Sequence, residues 1–214
     1  MNFVDFYYKK DKRKLVEDNN RKSVFTFGRF NPPTKGHLKL MQKVHTFANK
    51  VGADPYIFTS QSTDGGLPGK KNKGRNPLDW HTKNQFIRKL VPWANIPDAA
   101  EIKTPFQIIP YLVEKGYSHV YFVVGSDRVE EFEKRWIPYA SESFQEVKIV
   151  SAGQRDPDAE GVSGMSGTKA REAAYSGDIA KFRVATGWDG DISYKLMNAV
   201  RERLPAPRLE NNGN

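Results

Sequence analysis

Cysteine is absent from the chain. That excludes a disulfide framework and any thiolate metal site, and it agrees with a reducing compartment. No run of residues approaches the roughly 20 apolar positions that a membrane span requires. The first residues mix Asp5, Lys9, Lys10 and Asp11 into an aromatic start, which is not the pattern of a secretory signal. A cytoplasmic location without membrane contact is therefore the expectation. Acidic side chains are in the minority: 25 Asp and Glu face 34 Lys and Arg, a formal net charge of +9. Such an excess calls for an anionic partner, either nucleotide phosphates or nucleic acid. The 4 histidines form no pair at metal-ligand spacing, and no dense carboxylate cluster marks a protein-built metal site. What remains, 214 residues with 38% hydrophobic content, suffices for one α/β domain with a substantial core.

The stretch most suggestive of chemistry is Phe27-Gly28-Arg29-Phe30-Asn31-Pro32-Pro33-Thr34-Lys35-Gly36-His37. Residues 24–27 are an apolar, β-prone run, and Leu38, Leu40, Met41, Val44 and Phe47 recur at helical spacing after it. Gly28 allows close approach to the backbone, two prolines stiffen the turn, and Thr34 is a good cap for a helix that carries Gly36 and His37 in its first turn. Free N–H groups at such a helix start attract phosphate.

Further along, residues 56–59 read as a second strand, so that strand, helix and strand follow within about forty residues, the repeat of a parallel sheet. The polar stretch 61–75 is long for a loop in a compact domain. Its Lys70, Lys71, Lys73 and Arg75 suit closure over a triphosphate, or else a solvated insertion. Gly69 and Gly74 imitate a phosphate-binding P-loop, but Arg75 and Asn76 stand where that loop needs Lys and Ser or Thr. Asn76-Pro77 instead reads as the cap and first residue of a helix bearing Trp80, Phe86, Ile87 and Leu90. From Glu101 the pattern predicts a short strand, a helix through Phe106, Ile109, Leu112 and Val113, and then the strongest strand, 120–124. That strand runs into Gly125-Ser126-Asp127, where Asp127 either contacts a ribose or base or caps the helix that follows. Trp136, beside Phe132, reads as core, with stacking on a ligand ring as the alternative. Residues 147–150 supply a fifth strand.

A second constellation lies at Ser166-Gly167-Thr168-Lys169-Ala170-Arg171. Small hydroxyl residues open a helix and place Arg171 one turn in, so hydroxyls, backbone N–H groups and a guanidinium can share a phosphate. A capping box without function is the alternative. Gly164-x-Ser166-Gly167-Thr168 is not a hydrolase elbow, because the final glycine is missing. Residues 179–185 and 192–204 read as two helices able to cover the site or to mediate homo-oligomerisation.

Taken together, Gly28-x-Phe30-x-Pro32-x-Thr34-x-Gly36-His37 and Ser166-Gly167-Thr168-Lys169-x-Arg171 resemble the HxGH and SSTxxR-type signatures of the nucleotidyltransferase superfamily, over residues 23–174. Gly125-Ser126-Asp127-Arg128-Val129 and the 150–161 stretch look like the small cytidylyltransferase-like proteins of tailed phages, and Gly28-Arg29-Phe30 is similar to nicotinamide mononucleotide adenylyltransferases. The resemblance implies an α/β fold with a Rossmann-like parallel five-stranded sheet in the order 3-2-1-4-5, helices on both faces and a helical C-terminal extension. Composition and pattern add a basic, aromatic leader (1–22) before the nucleotidyltransferase-like domain (23–186), and a C-terminal helix (187–204) and polar tail (205–214) after it. The resemblance implies transfer of a nucleoside monophosphate from an NTP, with ATP favoured over CTP, to a phosphorylated small molecule, with Mg2+ accompanying the NTP. His37, Thr34 and Arg171 would be catalytic. Gly28, Arg29, Phe30, Gly36, Gly125, Asp127, Ser166, Gly167 and Thr168 would bind nucleotide. A nucleic-acid-binding protein on the same fold is the competing class, and the basic leader would be its arm.

Overall fold

A computed structural model describes residues 20–62, 76–153 and 167–204. Its elements run β1 (Lys22–Gly28), α1 (Lys35–Val51), β2 (Asp54–Thr59), α2 (Trp80–Leu90), α3 (Ile108–Glu114), β3 (His119–Val124), α4 (Val129–Arg135), α5 (Ile137–Ala140), β4 (Glu146–Ser151), α6 (Gly167–Ser176), α7 (Ile179–Thr186) and α8 (Gly190–Arg201). Short 3-10 turns at Pro105–Gln107 and Ser126–Arg128 lead into α3 and α4.

The strands pair in parallel in the order β2-β1-β3-β4. Side chains alternate between faces with period two, and both faces are covered, as a parallel sheet requires. Phe25, Phe58 and Phe122 point to one side, where they pack with Leu112 of α3 and the fully buried Trp136 between α4 and α5. Val24, Ile57, Tyr121 and Val123 point to the other, against Met41, Val44 and Ala48 of α1 and Ile87 of α2. The register places Phe25 opposite Phe122, and their rings stack at 4.6 Å. A third cluster joins α6, α7 and α8 through Ala170, Ala173, Ala174, Phe182, Leu196, Met197 and Val200, with Leu78 inserted from the segment before α2.

The expected five-stranded 3-2-1-4-5 sheet is thus corrected to four strands among the described residues. The stretch read as a third strand, beginning at Glu101, is turn and bend. Only Ile102 of it is buried, between exposed Glu101 and Lys103, so it has no apolar face to set against a sheet. Pro105 then opens a 3-10 turn capped by Thr104, whose N–H donates to Gln107 Oε1 at 2.9 Å. The outer edge of β2 instead carries one isolated parallel bridge, Tyr56 to Asn95. Pro92 and Pro97 bracket it, and residues without an N–H do not extend a ladder. A second correction concerns α2. It begins at Trp80, and its cap is Asp79, whose Oδ1 accepts from Thr82 N–H at 2.8 Å; Asn76 lies outside the helix.

Order β2-β1-β3-β4 means that the chain leaves β1 to one side for β2 and returns on the other for β3. The connections therefore diverge above the carboxyl ends of β1 and β3 and open a crevice there. Gly28 and Val124 end those strands. No helix among the described residues is long and apolar enough to cross a membrane.

Candidate active site

The turn after β1 is shaped from within. Phe30 has φ of 44°, a left-handed conformation that is strained for a residue with a side chain. Its ring is buried and folds back over Gly28, where an added Cβ would lie 2.5 Å from the ring Cζ. Gly28 is therefore required by Phe30, in addition to any closeness to a ligand. The Asn31–Pro32 peptide is cis. Phe30 also meets His37 edge to face at 5.1 Å, so one aromatic ring sets both the glycine and the histidine of the motif. Arg29 between them is exposed.

Thr34 caps α1 as the sequence suggests, but its hydroxyl is turned inward. The residue is 1% exposed, and its Oγ1 lies 3.0 Å from His37 Nδ1. The Thr34 backbone N–H donates to the same nitrogen at 3.1 Å. An Nδ1 that accepts a backbone hydrogen bond carries no proton in the neutral ring, so the proton resides on Nε2. His37 is thereby presented at the first turn of α1 as a donor through Nε2, at the positive end of the helix dipole. Gly36, next to it, is half-buried in the same turn.

The second motif comes to the same place. Arg171, half-buried on α6, donates from Nη1 to the Asn31 carbonyl at 3.1 Å and from Nη2 to Thr168 Oγ1 at 3.0 Å. Gly167 opens the helix, and a Cβ there would stand 3.0 Å from Arg171 Nη1. The turn before α1 and the first turn of α6 are thus linked through one guanidinium. Ser166 and the lysine-rich Lys70, Lys71, Lys73 and Arg75 lie outside the described residues.

Gly125 and Asp127 sit across the crevice at the end of β3. Asp127 is exposed in the 3-10 turn, with its carboxylate folded toward Gly125, where an added Cβ would be 2.5 Å from Oδ1. Ser126 N–H donates to the Gly153 carbonyl at 3.3 Å, joining this turn to the chain beyond β4. Trp136 is fully buried and gives its indole N–H to the Pro105 carbonyl at 3.0 Å, so it serves the core. His45 packs on Trp93 at 4.3 Å. Among the described residues, no group of three or more His, Cys, Asp or Glu side chains converges as a metal site.

Two residues of this region carry no sequence motif. Asn31 is 4% exposed and bonds both backbone groups of Leu78. Lys83 is 0% exposed on α2, and its ammonium donates to the Ser60 carbonyl. Ser60 N–H in turn donates to the Gly28 carbonyl at 2.9 Å. Burial pushes the Lys83 amine down to about 7, and the Asp79 carboxylate opposes that shift. A lysine within an amphipathic helix ordinarily reads as solvated. Only the tertiary packing at the end of β2 marks this one.

Parallel strands, a reversal between β1 and β3, and an α6 arginine bonded to the turn before α1 define a doubly wound α/β protein with its crevice at the carboxyl ends of β1 and β3. The cytidylyltransferase-like family model matches residues 25–173, and the chain belongs to that family, whose chemistry is nucleotidyl transfer. A solved structure from Vibrio parahaemolyticus, provisionally assigned as a nicotinate-nucleotide adenylyltransferase, is similar in fold, with TM-score 0.53 and 17% identity over 83% of this chain and 99% of that one. No curated protein matches the sequence.

Proposed function

We propose that this protein transfers a nucleoside monophosphate from an NTP, ATP before CTP, to the phosphate of a small phosphorylated acceptor, releasing pyrophosphate. The observation that carries the reading is the bond from Arg171 to the Asn31 carbonyl, which brings the α6 helix start to the turn that presents His37. An acceptor phosphate oxygen attacks the α-phosphorus, and the bond from that phosphorus to the bridging oxygen breaks. Both electrons leave with pyrophosphate. His37, donating through Nε2, stabilises charge on the α-phosphoryl oxygens. Arg171, Thr168, Gly167 N–H and Ser166 hold the departing phosphates. Positioning and electrostatics supply the catalysis, with no covalent enzyme intermediate. Magnesium enters with the triphosphate as part of the substrate. The N–H and O–H donors of the turn suit phosphate oxygens rather than a cation.

Gly28, Arg29 and Phe30 on one side and Gly125 and Asp127 on the other frame the place for base and ribose. Lys70, Lys71, Lys73 and Arg75 belong to the proposal as a triphosphate lid. The likeness to a provisional nicotinate-nucleotide adenylyltransferase supports nicotinate or nicotinamide mononucleotide as the first acceptors to try. The setting is the cytoplasm, that of a bacterial host if the gene is a phage's. The test is pyrophosphate release from each NTP with magnesium and a panel of phosphomonoesters. If nucleotide binds and no pairing turns over, the transfer reading falls. A nucleic-acid-binding role draws on the net charge of +9. DNA or RNA affinity that falls steeply with salt and survives changes at His37 and Arg171 would put that role in its place.

A further inference from the structure

The opening turn and helix α6 meet through a residue to which no motif assigns a task. Asn31 is almost fully buried. Its Nδ2 donates to the Leu78 carbonyl at 2.7 Å, and its Oδ1 accepts from the Leu78 N–H at 2.9 Å. This is a two-bond clip that suits a primary amide, with donor and acceptor on separate atoms: a carboxylate lacks the donor, and a hydroxyl has one atom for both. Leu78 is itself immobilised, with its side chain fully buried among α6, α7 and α8. The clip therefore ties the turn after β1 to the cluster that carries α6, across 47 positions of sequence.

The main chain of the same residue meets the guanidinium. Arg171 Nη1 donates to the Asn31 carbonyl at 3.1 Å, and Nη2 donates to Thr168 Oγ1 at 3.0 Å. Two acceptors on different segments determine the plane of a rigid, planar group. Gly167 leaves the space for this: a side chain there would come within 3.0 Å of Nη1 and 3.7 Å of the Asn31 oxygen. If the turn moves, the carbonyl moves, and the guanidinium follows its acceptor.

We propose that Asn31 is the positioning residue for Arg171, clipping the turn to Leu78 so that its own carbonyl aims the guanidinium at the pyrophosphate portion of the nucleotide. This rests on the nucleotidyl-transfer reading for the identity of the ligand. It does not rest on turnover, because inorganic pyrophosphate with magnesium is a sufficient probe.

The experiment is a double-mutant cycle read by calorimetry with magnesium pyrophosphate on wild type, Asn31→Ala, Arg171→Ala and the double variant. Asn31→Ala is expected to weaken pyrophosphate binding about tenfold when Arg171 is present and less than about twofold when it is absent. Asn31→Ser, whose single uncharged hydroxyl can hold at most one of the two Leu78 bonds, is expected to fall between wild type and Ala, and it carries the cycle if Asn31→Ala fails to fold. Equal losses in both Arg171 backgrounds would overturn the proposal, as would undiminished binding by folded Asn31→Ala or a wild type without pyrophosphate affinity. A strongly coupled cycle in a protein that turns over no NTP sinks the transfer reading and leaves the Asn31 role standing. Turnover with an additive cycle does the reverse.

Discussion

The ring of Phe30 occupies the space that a side chain at Gly28 would need, with its Cζ 2.5 Å from where a Cβ would be. Neither partner can yield easily. Phe30 is buried and held at φ of 44°, and Gly28 ends a strand paired on both sides of β1. Gly28→Ala is therefore expected to destabilise the fold by about 1–3 kcal/mol, the range for overpacking, with no ligand present. Denaturant unfolding measures this. Adding Phe30→Ala should give a combined loss smaller than the sum of the two, since the clash is removed with the ring. Additive losses would show that the glycine answers to something other than Phe30.

His37 is held at Nδ1 by a backbone donor, and that has a consequence for substitution at position 34. Any residue other than proline supplies the same N–H. Thr34→Val, which removes only Oγ1, should lower the transfer rate less than about tenfold, whereas His37→Ala should cost on the order of a hundredfold or more with little change in nucleotide affinity. His37→Gln places an amide N–H near where Nε2–H lies and should retain more rate than alanine. Pyrophosphate release under saturating nucleotide decides the order. A valine variant as impaired as the alanine one would give the hydroxyl the larger part.

Asp79 joins the start of α2 to the turn that follows α8. It caps α2 through Thr82 N–H at 2.8 Å and pairs with Arg203 at 3.3 Å. Burial alone would raise its carboxyl, but the bonds from Thr82 and the nearby Arg203 hold it below its usual range. A carboxylate with a depressed folded-state pKa stabilises above its unfolded value and loses that contribution as pH falls through the folded one. Asp79→Ala is expected to cost about 1 kcal/mol at neutral pH, as helix caps do, and the difference from wild type should shrink as pH falls through the lowered folded-state value. Thermal melts from about pH 7 down to about pH 2 check it; a gap that does not narrow at all across that range would assign the loss to packing.

Strand β1 and the helix after it were legible because burial repeats in the local sequence. Val24 and Phe25 alternate faces in a run with no polar break that a strand could not absorb, and Met41, Val44 and Ala48 mark one side of α1. The paired signatures were legible for the same local reason, since Thr34 to His37 and Gly167 to Arg171 each span a single turn. Where reading failed, the deciding interaction was distant. Ile102 has no strand to join, because the edge of β2 already holds Asn95. Asn76 resembles a cap as well as Asp79 does, until Leu78 is placed against Asn31. Asn31 looks like any turn residue, and its partner is 47 positions away.

Lys83 is the extreme case of a residue defined by its tertiary surroundings, and pH exposes it. Its amine is fully buried, and burial lowers it from 10.5 to about 7, against the pull of the Asp79 carboxylate. Below about pH 7 the group is charged in both the folded and the unfolded states, and the fold bears the whole cost of burying that charge. Between about 7 and 10.5 the unfolded chain holds the proton and the folded one does not, so stability rises with pH at up to about 1.4 kcal/mol per pH unit from this group. Lys83→Met fills similar volume and has nothing to titrate. It also leaves the Ser60 carbonyl without the Lys83 donor, a loss of about 1 kcal/mol that does not vary with pH. The variant should therefore unfold at higher denaturant than wild type at pH 6.5, and the advantage should shrink or invert by pH 9.5. Urea melts across that range give the difference directly. A gap that stays constant with pH would mean that Lys83 keeps its proton throughout, stabilised by more than the Ser60 carbonyl and Asp79.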